Sequence, residues 1–112
     1  MLQNHKLPKS ISAKELYELL NSAEKIQIID VREHFEWDIC SIEGTLNIPM
    51  NLIIESTDKI SKDITTVIIC HHGTRSKYVI QYLESIGYKN LINLHGGIHA
   101  WATDVDKSMS TY

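Results

Sequence analysis

The sequence predicts a small α/β domain in which a parallel β-sheet is flanked by helices on both faces. Three observations carry this expectation. Ile26-Gln27-Ile28-Ile29-Asp30-Val31, Thr66-Val67-Ile68-Ile69 and Leu91-Ile92-Asn93-Leu94 are short, nearly continuous apolar runs, the form taken by strands buried on both faces. Helical patterns lie between and around them, and such alternation joins parallel strands by right-handed crossovers. The middle strand, finally, runs into a cysteine and a short polar loop. In open α/β sheets, ligands bind at that end of the strands.

The elements follow in chain order. Residues 1–9 are polar with Pro8 near their end, a lead-in or short edge strand. Ser12-Ala13-Lys14-Glu15 has the Ser-x-x-Glu form of a capping box, with Ile11 and Leu16 at staple positions, so a helix starts at Ser12. Leu16, Leu19 and Leu20 form its apolar face, and Asn21-Ser22 marks its end. After the Ile26–Val31 strand comes a charged and aromatic stretch, 32–38, with a short helix over part of 33–38. Gly44 and Asn47-Ile48-Pro49 punctuate a connection into Leu52-Ile53-Ile54, with another short helix within 50–60. Beyond Cys70, residues 77–86 read as a helix: Val79, Leu83 and Ile86 share one face, and Gly87 is placed to end it. The turn 87–90 leads to the 91–94 strand, and His95-Gly96-Gly97 breaks the pattern before a last helix through Ile98 and Trp101. Trp37 and Trp101 read as core or rim aromatics. Residues 103–112 are expected to be a frayed tail on a single domain, 1–112, whose core runs from about 10 to 101.

Composition bounds the function. The 112 residues are 43% hydrophobic, enough for one core, and Lys+Arg 11 against Asp+Glu 14 gives a net charge of −3. With no basic run, nucleic acid and anionic membrane surfaces are poor partners. No apolar run is long enough to span a bilayer or serve as a signal peptide. Cys40 and Cys70 are too few for a disulfide scaffold and lack C-x-x-C spacing, which fits a reduced, cytoplasmic setting.

Cys70 is the candidate nucleophile. A thiol at the start of a helix is stabilised as its anion by unpaired N–H groups and the helix dipole, and Arg75 adds a full charge nearby. Gly73 permits the tight turn in which successive N–H groups form an anion-binding nest. His71 and His72 are acid–base groups, neutral donors to an anionic substrate, or simply solvent-facing. A thiolate formed by its surroundings needs no general base. Asp30, Arg32 and Glu36 form either a polar network at the mouth of the sheet or ordinary surface pairs. No metal site is expected: adjacent Cys70, His71 and His72 cannot easily converge on one tetrahedral ion, and Gly96-Gly97 interrupts the helical spacing of His95 and His99.

Taken together, Asp30-Val31-Arg32 with Glu36-Trp37, Gly44 through Pro49, Cys70-x-x-Gly73-x-Arg75-Ser76, and Gly87-Tyr88, Leu91, Leu94, Gly96-Gly97-Ile98 with Trp101 resemble the rhodanese family over roughly residues 10–101. Cys40-Ser41-Ile42 departs from it, since the family commonly has Gly-His-Ile there. The resemblance implies a sulfurtransferase that carries sulfane sulfur on Cys70 as a persulfide. It implies that the loop His71, His72, Gly73, Thr74, Arg75 and Ser76 holds the outer sulfur, that Arg75 helps bind an anionic donor such as thiosulfate, and that no cofactor is needed. The acceptor would be cyanide, a thiol or a protein. A non-catalytic binding module on the same fold is the alternative, although its hallmark would be loss of the cysteine. Cysteine phosphatases and arsenate reductases of similar fold are a further alternative. They have five residues between their Cys and Arg, whereas His71, His72, Gly73 and Thr74 make four here.

Overall fold

Ser12 caps the first helix in the expected way. Its hydroxyl accepts the Glu15 N–H at 3.1 Å, and the Glu15 carboxylate accepts the Ser12 N–H at 2.8 Å. In the computed structural model, which describes residues 7–112, this box opens α1 (Ala13–Leu20), with Asn21 at its C-terminal cap. The first six residues of the expected lead-in lie outside the described residues. The remaining elements are β1 (Ser10–Ile11), β2 (Ile26–Asp30), α2 (His34–Ile39), β3 (Leu46–Asn47), two 3₁₀ turns (Met50–Leu52 and Ile54–Lys59), β4 (Thr65–Ile69), α3 (Arg75–Ser85), β5 (Leu91–Leu94) and α4 (Gly97–Asp104).

All neighbouring strands pair in parallel, in the order β1-β5-β4-β2-β3. The central strands are covered on both sides, which explains their continuous hydrophobicity. Side chains alternate between two cores. Ile28, Val67, Ile69, Ile92 and Leu94 pack with Leu16, Ile98 and Trp101 of α1 and α4. Ile29, Ile68 and Leu91 pack with Val79 and Leu83 of α3 and with Ile53 and Ile60. Cys70 follows the parity of Ile68 and belongs to the second core, beneath α3.

The sequence reading and the structure differ in three places. β1 and β3, of two residues each, are too short to leave a period. α3 begins at Arg75 rather than Lys77, so Arg75 and Ser76 lie in its first turn. The expected frayed tail is instead packed. Thr103 and Asp104 are the last residues of α4, the N–H groups of Val105 and Asp106 both bond the Trp101 carbonyl at 2.9 Å, and Met109 packs against the first core. Tyr112 then reaches Arg32 and Glu36, two charged partners that no local pattern could reveal.

Gly96 and Gly97 bring α4 against the Cys70 loop. The N–H of Ile98 donates to the Cys70 carbonyl at 2.8 Å and that of His99 to the His71 carbonyl at 3.1 Å. Gly97 has φ +62°, and a Cβ there would overlap both of those carbonyl oxygens. Gly97→Ala is therefore expected to cost about 3 kcal/mol, from backbone strain and overpacking together. Urea unfolding checks this; wild-type stability in the variant would mean that the approach is not tight.

Candidate active site

Cys70 stands at the carboxyl end of β4 and is 1% exposed. Gly73, with φ +103°, turns its N–H onto the sulfur at 3.0 Å. A Cβ on Gly73 would lie 3.3 Å from the Gly96 nitrogen, a tight contact, but it is the positive φ that favours glycine at this turn. The Ser76 hydroxyl is 3.4 Å from the sulfur and hydrogen-bonds the amide oxygen of Asn93. Ser76 and Asn93 are both buried. A backbone donor, a hydroxyl and the first turn of α3 thus surround the sulfur.

Arg75 does not reach freely into solvent. Its two terminal nitrogens fork onto the Glu36 carboxylate at 2.8 and 2.9 Å. That carboxylate also accepts the Glu33 N–H at 2.9 Å and the Tyr112 hydroxyl at 3.0 Å. Arg75 leads the forces that pull the Glu36 carboxyl down to about 2, although burial works in the opposite direction. The Arg75 guanidinium is in turn held protonated, first by Glu36 and further by the nearby Cys70. Its charge therefore bears on the sulfur while its fork is engaged elsewhere.

Asp30 and Arg32 form a buried ion pair, closest at 2.7 Å, with the two side chains at most 1% exposed. Burial opposes the Arg32 charge, but the bonds from Asp30 and then Tyr112 outweigh it and raise the guanidinium above its ordinary value. Arg32 also donates to the carbonyls of Glu36 and Cys40, at 3.3 and 2.7 Å, and so ties down the end of α2. Cys40 caps that helix with φ −163°, extended backbone that any residue adopts, so a glycine is not needed there. Of the two arrangements open to Asp30, Arg32 and Glu36, the structure has the network.

His71 stacks on the Tyr112 ring, centroids 3.9 Å apart and planes 10° apart, and lies 4.0 Å from the His72 ring. Burial first, and His72 second, lower its pKa, which favours a neutral imidazole. His72 is exposed, and His99 comes within 5.2 Å of it. Thr74 is exposed at the rim and makes no side-chain cap for α3. Among the described residues no three His, Cys, Asp or Glu side chains are grouped to hold a metal ion, and no helix is long and apolar enough to cross a membrane. The sequence reading missed Asn93, His99 and Tyr112 as neighbours of the site. Asn93 left a signal, as a lone polar residue in an apolar strand; Tyr112 left none.

A buried thiol inside a tight loop at the end of a central parallel strand defines a cysteine-centred α/β domain. The chain belongs to the rhodanese-like domain family, whose model matches residues 12–104. The "Probable adenylyltransferase/sulfurtransferase MoeZ" of Mycobacterium tuberculosis is 37% identical over 105 residues, covering 92% of this chain but 27% of its own length. The chain thus spans about a quarter of that relative. A protein of Allochromatium vinosum named "Sulfurtransferase" is 37% identical, with 82% of this chain and 86% of that protein covered. The crystal structure of a rhodanese-like domain protein from Staphylococcus aureus matches with a TM-score of 0.81 at 33% identity, over 94% of this chain and 99% of that one.

Because the Glu36 pKa is depressed from 4.5 to about 2, its contribution is complete above pH 4.5 and disappears as pH falls towards 2. It amounts to about 3 kcal/mol. Glu36→Gln is expected to flatten stability against pH across that acid range, measured by urea unfolding at a series of pH values. An acid limb as steep as wild type would show that the fork contributes nothing.

Proposed function

We propose that this protein moves sulfane sulfur from a donor such as thiosulfate to cyanide, a thiol or a protein acceptor, through a persulfide on Cys70. The Cys70 thiolate attacks the outer sulfur of thiosulfate, the S–S bond breaks, and sulfite leaves with the bonding pair. An acceptor nucleophile then takes that sulfur and the Cys70 thiolate departs. No net oxidant or reductant is required, and the chain's own residues suffice without a cofactor. Two free cysteines fit a reduced cytoplasmic setting.

One observation carries the reading: the Gly73 N–H closes onto the sulfur at 3.0 Å inside a loop with four residues between Cys70 and Arg75. A ring that small suits a single sulfur atom, held by the N–H groups of residues 71–76. A phosphoryl or arsenate group, each of whose oxygens wants a donor at hydrogen-bond distance, needs a wider nest. Asp30, Arg32 and Glu36 support the loop from behind, with Arg75 supplying positive potential for an anionic donor. His71, neutral and stacked, and His72, with Thr74, line the approach. Names of relatives that include sulfur transfer support the same chemistry.

The test is to assay thiocyanate formation from thiosulfate and cyanide beside aryl phosphate hydrolysis on one preparation, with Cys70→Ser as the blank. Cys70-dependent thiocyanate without phosphate release is expected. Cys70-dependent phosphate release without thiocyanate would overturn the proposal, and absence of any turnover, with every donor tried, would favour the binding module. In the same assay Arg75→Ala should raise KM for thiosulfate more than it slows alkylation of Cys70. Unchanged thiosulfate kinetics would remove Arg75 from donor binding.

A further inference from the structure

Asn93 occupies the third position of β5, a strand otherwise of leucine and isoleucine, and is 3% exposed. By alternation its side chain enters the core beneath α3 with Leu91, the same core that holds Cys70. There it meets Ser76 through its amide oxygen. Its nitrogen packs behind Gly73, where a Cβ would sit 3.7 Å from it, and among the described residues this nitrogen has no hydrogen-bond partner. Buried amide N–H groups are rarely left in that state.

The Ser76 hydroxyl has one proton and two neighbours, the Asn93 amide oxygen and the Cys70 sulfur. A proton given to Asn93 leaves only a lone pair facing the sulfur. That suits a thiol, which donates, but not a thiolate, which must accept. A half-turn of the amide gives its nitrogen an acceptor in Ser76 and frees the hydroxyl proton to swing to the sulfur.

We propose that Asn93 is the positioning residue that sets the direction of the Ser76 O–H bond and, through it, stabilises the anionic sulfur of Cys70. The amide oxygen faces Ser76 while Cys70 is a thiol, and the amide nitrogen faces it when the sulfur is charged, as thiolate or persulfide. This rests on Cys70 reacting as an anion. It does not depend on what that anion attacks.

The rate of Cys70 alkylation by iodoacetamide, which needs no sulfur donor, is the measurement. Asn93→Asp keeps the shape and, as a carboxylate, can only accept, so it pins the Ser76 proton away from the sulfur; alkylation at a pH where that carboxyl is ionised should slow about tenfold. Asn93→Leu removes both polar atoms and leaves the Ser76 proton free to turn either way, so alkylation should slow, but by less than in Asn93→Asp. Ser76→Ala should slow alkylation about as much as Asn93→Asp, and adding Asn93→Asp to it should change nothing further. Equal slowing by Asn93→Leu and Asn93→Asp would reduce Asn93 to a packing role and overturn the proposal. So would an Asn93→Asp effect that persists undiminished in Ser76→Ala, since a carboxylate acting directly on the sulfur needs no hydroxyl. In the wild-type protein, the NMR signals of the Asn93 side-chain NH₂ should shift as Cys70 passes from thiol to thiolate; unmoved signals would also overturn it.

Discussion

The buried ion pair between Asp30 and Arg32 is the interaction on which the geometry of the site depends. Taking two charges out of water costs several kcal/mol for each ion, and the cost is recovered only with excellent geometry and further hydrogen bonds. Here the guanidinium meets both Asp30 oxygens, the carbonyls of Glu36 and Cys40, and the Tyr112 hydroxyl. One of these partners, the Cys40 carbonyl, lies at the C-terminal cap of α2, where a cation also offsets the helix dipole. A helix of six residues is too short to hold itself together. Arg32 fixes it to the end of β2, and α2 in turn holds Glu36 where Arg75 can fork onto it. A contact made at the mouth of β2 thereby places the first turn of α3 next to the sulfur.

The opposite side of the loop is held by backbone alone. Successive carbonyls at Cys70 and His71 are taken by N–H groups of α4, an approach that Gly97 makes possible by having no side chain. Gly73 adds the inward turn that aims its own N–H at the sulfur. The loop is thus gripped by ionic contacts through Glu36 and Arg75 on one side and by peptide hydrogen bonds on the other. Its size and its donors are set before any substrate arrives, which is what preorganised stabilisation of a charged sulfur requires.

Much of this was legible in the residues because the information is local. β2, β4 and β5 declare themselves as unbroken apolar runs, the Ser12–Glu15 box marks where α1 begins, and Cys70, Gly73 and Arg75 lie together in one loop. What the sequence did not reveal is carried by contacts between distant residues. The Glu36–Arg75 fork joins positions 39 apart, and Ser76 meets Asn93 across 17. Tyr112 meets Arg32 from 80 residues away, so a segment with no apolar period looked frayed although its end is anchored. β1 and β3 are defined by pairing with β5 and β2 rather than by their own composition.

Intact-protein mass spectrometry after incubation with thiosulfate, followed by fragmentation to locate the added mass, tests the central claim most directly. The expected result is a gain of one sulfur atom on Cys70, reversed by cyanide and absent in Cys70→Ser. Sulfur found only on Cys40, or none bound while Cys70 remains open to alkylation, would contradict it.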